Sequence, residues 1–519
     1  MPPPASKESA FAALGLKATI QQLKEEIQQL YLADEVPWII GYSGGKDSTA
    51  VVQLTWLALA ELPAAQRRKT VHVISTDTMV ENPVVASWVQ KSLEILGEAS
   101  RKTTMSIQPR LLHPQTEESF WVNLIGRGYP APRPKFRWCT ERLKIKPSNR
   151  FIREVVTENG EAILLIGARK AESSARARVL TRNQKYRVRD RLSPSGTLAG
   201  CSIYTPIEDW SNDDVWMFLM QISNPWGISN KELLTMYQGA SPDGECPLVV
   251  DSSTPSCGDS RFGCWVCTLV DKDKSMTAMI QNDQEKEWMT PLLELRNALD
   301  FRSGAGNQEE SNDHHLRDFR RMSGAIQLMQ GDKPVPGPYT QEARENWMRK
   351  LLAAQTWIRR NGPAGVRNIE LISLDELQEI RRLWVVEKHE MEDRLPRIYS
   401  EVTGEPYPGR RLDDNLVLGE NEMEVLKEVC GGDRLHYELA RELLSVERQQ
   451  RAHARRAGLF DQLEKSIRRH YYDDKEDATD MARRHAQART DADKGQRTAA
   501  FIDDSGGFEA RGTQTDVLP

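Results

Sequence analysis

The chain has 519 residues, 39% of them hydrophobic and 28% charged, with a formal net charge of −5. That is enough to bury a large core and carry appended modules, and the negative balance argues against a general nucleic-acid coat. No run reaches the roughly 18 apolar residues of a membrane helix, and Met1-Pro-Pro-Pro-Ala-Ser-Lys-Glu lacks the basic and apolar regions of a signal peptide, so a cytoplasmic protein without a membrane partner is expected.

From Phe11 to about Leu32, apolar positions recur at helical spacing among many charges, which predicts an amphipathic leading helix. Pro37-Trp38-Ile39-Ile40 reads as a short buried strand. It runs through Gly41-Tyr42-Ser43-Gly44-Gly45-Lys46-Asp47-Ser48-Thr49 into an apolar stretch at helical spacing that ends near Leu62-Pro63. Strand, glycine-rich turn and helix aim backbone N–H groups and a helix N-terminus at one anion. Gly44 and Gly45 permit close approach, Lys46 adds a point charge, and Ser43, Ser48 and Thr49 add hydroxyl donors, so the expected ligand is a phosphate. A G-x-x-x-x-G-K-[ST] loop would need glycine at position 40 and Ser or Thr at position 47, where Ile40 and Asp47 stand. The stretch instead resembles the S-G-G-x-D-S pyrophosphate loop of the ATP pyrophosphatases, which cut ATP between the α and β phosphates.

Val71–Thr78 predicts a second strand that enters a polar turn, Pro83 opens a helix to about Leu96, Ile107–His113 is a candidate third strand, and Ala162–Gly167 is another. Strands alternating with helices predict an α/β fold with a doubly wound, mostly parallel sheet. Ligands of such sheets bind beyond the carboxyl ends of the strands. Gly44, Asp77 and Arg169 each follow a predicted strand, so all three are expected to face one crevice. Asp77 can bind ribose or a Mg²⁺ on the phosphates, or simply form the turn. In Gly167-x-Arg169-x-x-Glu172-Ser173-x-x-Arg176 the glycine permits close approach, the two arginines can grip phosphate oxygens, and Glu172 can orient one of them. Between Ala131 and Arg191, 17 Lys or Arg stand against 6 Asp or Glu, a local net of +11. Such a stretch suits an anionic polymer, substrate phosphates or an ordinary basic surface.

Ser211 is the expected N-cap of a helix that follows Pro206-Ile207-Glu208-Asp209-Trp210. Cys246-x10-Cys257-x6-Cys264-x2-Cys267 then gathers four thiols, a shell that suits zinc or an iron–sulfur cluster. With seven cysteines in all, an odd number, metal ligands or free thiols are favoured over disulfides. Cys139 stands in Arg137-Trp138-Cys139-Thr140-Glu141-Arg142-Leu143-Lys144-Ile145-Lys146, among cations that lower a thiol pKa. It reads as a persulfide carrier, a cluster ligand or a plain buried thiol. Further on, helices are predicted at Thr340–Arg359 and Leu374–Asp393, with one charged helix from Leu435 to about His470. From Tyr472 the chain is polar, and disorder is expected.

Taken in order, S-G-G-K-D-S-T, S-T-D-T-x-V-E-N-P, R-W-C-T-E-R-L-K-I-K-P, G-x-R-K-A-E-S, P-I-E-D-W and F-G-C-W-V-C-T-L-V resemble the DndC family of DNA phosphorothioation proteins, relatives of the phosphoadenylyl-sulfate reductases. The resemblance runs from about Tyr31 to Pro338. It implies an adenine nucleotide alpha-hydrolase-like (Rossmann-like) sheet, ATP pyrophosphatase activity, a [4Fe–4S] cluster and sulfur insertion into the DNA backbone. The implied partners are DNA, a cysteine desulfurase as sulfur donor, and DndD- and DndE-type subunits. On this reading Lys46, Asp47 and Cys139 are the candidate catalytic residues. ATP and Mg²⁺ fall to Ser43, Gly44, Gly45, Lys46, Asp47, Ser48, Thr49, Asp77, Gly167, Arg169, Glu172 and Arg176, and the cluster to Cys246, Cys257, Cys264 and Cys267. The E-C-G-x-H tail of the sulfonucleotide reductases is missing, which speaks against sulfonucleotide reduction, and Thr140 stands where several reductases have a second cysteine. A tRNA thiolase and a non-catalytic ATP- or cluster-binding scaffold are the alternatives. The expected organisation is a leading helix at 1–30, the nucleotide domain at 31–240, an iron–sulfur segment at 241–300, a mainly helical region at 301–471 and a charged tail at 472–519.

Overall fold

The computed structural model describes residues 9–134, 136–187, 191–241, 262–301, 313–329, 333–451, 456 and 458–488. The first half runs α1 (Gly15–Leu32), β1 (Trp38–Gly41), α2 (Lys46–Ala60), β2 (Val71–Thr76), α3 (Pro83–Lys102), β3 (Ile107–Leu112) and a single turn, α4 (Trp138–Thr140). It continues with α5 (Lys146–Asn159), β4 (Ala162–Leu165), α6 (Ser174–Lys185), β5 (Ser193–Pro194), β6 (Cys201–Tyr204), α7 (Asn212–Gln221) and α8 (Asn230–Gly239). The six strands form one sheet in the order β3-β2-β1-β4-β6-β5, parallel throughout except for β5 against β6.

A parallel sheet is covered on both faces, so its strands are apolar runs rather than alternating ones. Trp38, Ile39 and Ile40 accordingly expose no surface. Trp38 and Ile40 share a core with Val51 and Leu54 of α2, whereas Ile39 joins Ile152 and Val155 of α5 on the other face. The order in which strands are added to the sheet reverses between β1 and β4, and the crevice at that switch is where the turn after β1 opens. Local signals set the helix starts. Asn82 Oδ1 accepts from Val84 N at 3.0 Å ahead of Pro83, and Ser211 and Asp214 form a reciprocal capping box. Asp214 also accepts from the backbone of Ala10 and from the Ser9 hydroxyl, which fastens the leading segment to α7.

The second half comprises α9 (Lys274–Asn282), α10 (Thr290–Leu299), α11 (Gln341–Asn361), α12 (Leu374–Arg382), α13 (Arg394–Thr403), α14 (Glu420–Val429), α15 (Arg434–Arg451) and α16 (Leu459–His470). Its core, with Trp347, Leu351, Leu377, Ile380 and Ile398, also takes in Phe120, Trp121, Leu124 and Ile125 from the segment after β3 and Trp265 from the cysteine segment. One core therefore spans the boundaries expected near residues 240 and 300. Among the described residues no helix is long and apolar enough to cross a membrane.

Three expectations change. The helix predicted to reach Asp393 stops as an α-helix at Arg382, passes through a π-helical turn at Leu383–Glu387, and α13 begins at Arg394. The single charged helix expected from Leu435 to His470 is two packed helices, and Gly458, at φ +82°, precedes the second. The stretch expected to be disordered from Tyr472 is helical over residues 475–488, where Ala478 is fully buried.

α15 and α16 are held to the rest by buried polar groups. His389 Nδ1 lies 2.9 Å from Ser445 Oγ, His470 Nδ1 donates to Ser466 O at 2.9 Å, and Arg320 bridges Asp318 and Glu438. Burial, joined by Arg469 and Arg441, holds the His389 imidazole below its ordinary pKa, and burial with Arg320 does the same for His470. Both rings are thus neutral in the fold, and the unfolded chain takes up more protons below about pH 6.5. Stability from these rings is present above that pH and lost as pH falls through the lower folded values. Unfolding midpoints measured between pH 7.5 and 5 are expected to fall, and less steeply in a His389→Gln/His470→Gln variant.

Candidate active site

The turn between β1 and α2 is built around Gly44. Its φ of +73° is left-handed, and a Cβ there would stand 2.4 Å from Val89 Cγ2, so only glycine fits without displacing α3. The Gly44 carbonyl accepts from Trp88 Nε1 at 3.0 Å. Ser48 Oγ accepts from Ser43 N at 3.1 Å and donates to Gly45 O at 3.0 Å, and Thr49 Oγ1 donates to the same carbonyl at 2.9 Å. The hydroxyls of Ser48 and Thr49, expected to meet phosphate, instead brace the turn from inside, because both residues are buried. The ligand is left Ser43, Lys46 and the first-turn N–H groups of α2, which point along the helix axis.

Two distant residues close the turn. Arg169, 4% exposed, donates from Nε to Asp47 Oδ1 at 2.7 Å and from Nη1 to Trp210 O at 3.3 Å. The structure therefore commits much of this guanidinium to Asp47 rather than to the phosphate grip expected of it. Gly167 lets the strand end come this close, since a Cβ there would lie 2.8 Å from Asp47 O. Tyr237 of α8 is the second residue, and no motif marks it. Its hydroxyl accepts from Lys46 N at 3.4 Å, and Lys46 Nζ sits 5.5 Å from its ring centroid. Burial pushes the phenol well above its usual range, so it stays protonated and can donate to an arriving phosphate oxygen. Lys46 Nζ is also 3.3 Å from Asp47 Oδ2.

Glu172 accepts from Arg169 N at 2.9 Å and pairs with Arg176 at 2.5 Å. Asp77 Oδ1 accepts from Met79 N at 2.8 Å in the turn after β2. Ser43, Gly45, Lys46, Asp47, Asp77, Arg169, Glu172, Arg176 and Tyr237 all line one cleft of about 1370 Å³. Gly44, Ser48, Thr49 and Gly167 shape it from behind.

The cysteine segment enters the same cleft. Residues 263–265 lie antiparallel against 80–82: Glu81 bridges Cys264, Trp265 N donates to Val80 O at 2.9 Å, and Asn82 N donates to Gly263 O at 3.3 Å. Cys264 Sγ is 3.3 Å from Thr78 Oγ1 and 3.8 Å from Glu81 Oε1, and Cys267 N donates to Cys264 O at 3.0 Å. Burial, with Glu81, pushes the Cys264 thiol up to about 12. Burial first and Cys267 second also push the Cys139 thiol up, the reverse of what its cationic neighbourhood suggests. The cations of the same stretch are occupied elsewhere: Arg142 is engaged by Asn123 and Tyr129, Lys144 by Glu81 at 3.1 Å, and Lys146 by Glu118. Cys246 and Cys257 lie outside the described residues, and among the described residues no three Cys, His, Asp or Glu side chains are placed to hold one metal ion. The fit to a cluster thus rests on donor chemistry: Cys139, Cys264 and Cys267 are free, partly buried thiols, the donors iron–sulfur clusters take, and Cys267 lies near enough to the other two to raise their pKa values.

Residues 37–226 match the phosphoadenosine phosphosulfate reductase domain. The chain carries a phosphoadenosine phosphosulfate reductase-like domain. This domain contains the turn, Asp77, Arg169 and Arg176, and it ends before Tyr237 and the cysteine segment. An uncharacterized protein of Methanocaldococcus jannaschii is 26% identical over 200 residues, which is 38% of this chain and 35% of the relative. The chain thus spans about a third of the length of the curated relative it matches. Among solved structures, a phosphoadenylyl-sulfate reductase from Candida auris in a phosphate complex is 14% identical, with a TM-score of 0.25 over 39% of this chain and 84% of that one. The U34-tRNA thiolase NcsA from Methanococcus maripaludis, solved with its [4Fe–4S] cluster, is 12% identical, with a TM-score of 0.25 over 55% of this chain and 80% of that one.

Proposed function

We propose that the protein is an ATP-dependent sulfurtransferase of DNA phosphorothioation, activating a backbone phosphate by adenylation so that sulfur replaces a non-bridging oxygen. The supporting observation is that the turn after β1 and the segment carrying Cys264 wall one cleft, the latter through Phe262, Trp265 and the Cys264 neighbours Glu81 and Lys144. A phosphate oxygen is a poor leaving group. Attack of that oxygen on the α-phosphorus of ATP forms an adenylate and breaks the α–β bridge. Pyrophosphate leaves towards Lys46 and the start of α2, where its charge is met by the ammonium, N–H groups and the Tyr237 hydroxyl. Asp77 would hold a Mg²⁺, which would add positive charge beside the phosphates. Asp47 keeps Lys46 and Arg169 in place. Sulfide-level sulfur then attacks the backbone phosphorus, and AMP departs with the oxygen. Cys264 and Cys267, with Cys246 and Cys257, are the residues that would hold a [4Fe–4S] cluster, and Cys139 lies near Cys267. Such a cluster supplies iron sites that bind and deliver sulfur.

On this reading the partners are DNA, a cysteine desulfurase and DndD- and DndE-type subunits. The test is mass spectrometry of nuclease-digested DNA from cells with and without the chain, its sulfur donor and its companion subunits. Phosphorothioate dinucleotides are expected only where the chain is present. Unmodified DNA alongside thiolated tRNA nucleosides that depend on the chain would overturn DNA as the acceptor.

A further inference from the structure

The local excess of positive charge between residues 131 and 191 is divided unevenly. In its first part Lys144 and Lys146 are paired with Glu81 and Glu118, and Arg142 is held by Asn123 and Tyr129. A further share, arranged along one helix, lies on α6 and the residues that follow. Residues 174–187 contain five cations, Arg176, Arg178, Arg182, Lys185 and Arg187, and no Asp or Glu. Only Leu180 of α6 is buried. Arg178, Arg182 and Lys185 recur at i, i+4 and i+7, so they form one stripe, on the side of the helix away from Leu180. All three are exposed, and among the described residues no carboxylate pairs with any of them, while Arg176 and Arg187 are paired with Glu172 and Glu208. Val179, 47% exposed, and Tyr186, 67% exposed, form an apolar and aromatic edge beside the stripe.

The position of this helix matters as much as its charge. Ser173 and Arg176, at its start, line the reaction cleft. From Arg178 to Lys185 the stripe then runs about 10 Å along the axis of α6, at about 1.5 Å per residue. A mononucleotide bound at the turn after β1 is satisfied within the cleft and has no use for cations spread along that length. A polyanion that enters the cleft at one phosphate does. Three like charges on one exposed face repel each other, and counter-charge along a line relieves them. An exposed tyrosine at the far end offers a ring to sugar or base.

We propose that α6 is a docking rail for the DNA substrate, with Arg178, Arg182 and Lys185 on successive backbone phosphates and Tyr186 against the sugars or bases, leading one phosphate into the cleft. The assignment of DNA rests on the activity proposed above. The stripe itself fixes only a sugar–phosphate polyanion.

The experiment is fluorescence anisotropy of the full-length protein, purified without oxygen, on a labelled duplex DNA across a series of salt concentrations. An Arg178→Gln/Arg182→Gln/Lys185→Gln variant removes charge at exposed positions without touching Leu180. Its binding should weaken at least tenfold, and the slope of log affinity against log salt should become shallower by about 0.9 per lost phosphate contact, roughly 2.7 in all. The charge-reversed Glu triple should weaken binding further, and circular dichroism reports whether either variant is folded. Unchanged affinity and slope in a folded triple variant would overturn the rail. Binding of tRNA with no binding of duplex DNA by the unaltered protein would overturn DNA as its occupant. Pyrophosphate release from ATP by the unaltered protein is read in parallel, and its absence strikes the proposed activity while leaving the docking result to stand or fall alone.

Discussion

Replacement of Lys46 by alanine is expected to slow ATP-dependent pyrophosphate release by about 10²–10³-fold, the usual cost of removing one preorganised donor from developing negative charge. Lys46 is the first residue of α2, its side chain is 15% exposed, and its ammonium stands between Asp47 and the Tyr237 ring at the mouth of the turn. The bonds that brace the turn join Lys46 N to Tyr237 and Arg169 to Asp47, and alanine keeps both. The thermal midpoint should therefore stay close to that of the unaltered protein. If the lysine serves chiefly the departing pyrophosphate, kcat falls and KM for ATP moves little. A coupled pyrophosphate assay gives both constants. A Lys46→Ala protein that is folded and releases pyrophosphate at the unaltered rate would remove this residue from the chemistry.

The second large effect is expected at Cys264. Cys264→Ser should abolish the visible charge-transfer absorbance of an anaerobically prepared protein, together with sulfur insertion into DNA. Cys430→Ser, at the end of α14 and far in sequence from the cysteine segment, should leave both intact. The contrast matters because Cys264 does two things. It places a thiol beside Glu81, a wall residue of the cleft, and it sits in the short backbone pairing with residues 80–82. Serine keeps the backbone pairing and nearly the same shape, so loss of colour with retained stability isolates the thiol. Absorbance spectra, iron analysis and the unfolding midpoint are read on the same preparation. Full iron content in Cys264→Ser would exclude this sulfur as a ligand.

Much of this arrangement is legible in the sequence, and the part that is not has a common cause. Trp38-Ile39-Ile40 and Ala162–Leu165 announce buried parallel strands because both faces of such a sheet are covered, and each run is cut off by glycine or polar turn residues. Strand ends then place Gly44, Asp77 and Arg169 at one crevice before any coordinate is known. What spacing does not carry is the choice of partner. Ser48 and Thr49 have the right hydroxyls for phosphate, yet both turn to the Gly45 carbonyl a single helical turn away. Arg169 has the right guanidinium, yet Asp47 takes its Nε. The cations near Cys139 are plain in the sequence, whereas the burial of the thiol and its nearness to Cys267, which push its pKa up, are tertiary and leave no local sign. Tyr237 has no signal at all, being the single aromatic of a short helix that no motif marks. The split of the charged helix near Gly458 carried a usable sign, a glycine inside a long helical pattern.

The contacts that close the phosphate turn have a bearing on how the protein is assembled. Arg169 reaches Asp47 across 122 positions, and Tyr237 reaches Lys46 across 191. Strands β1 to β3, by contrast, are paired within residues 38–112. A nascent chain that has emerged as far as β3 already owns the strand, the glycine turn and the start of α2, but neither of the side chains that brace them. Contacts of such long sequence separation form late, because chain entropy is lost before they return anything. Until α8 arrives the turn has only its local braces from Ser48, Thr49 and Trp88, so a phosphate site built on it is complete only when the chain has been made as far as Tyr237.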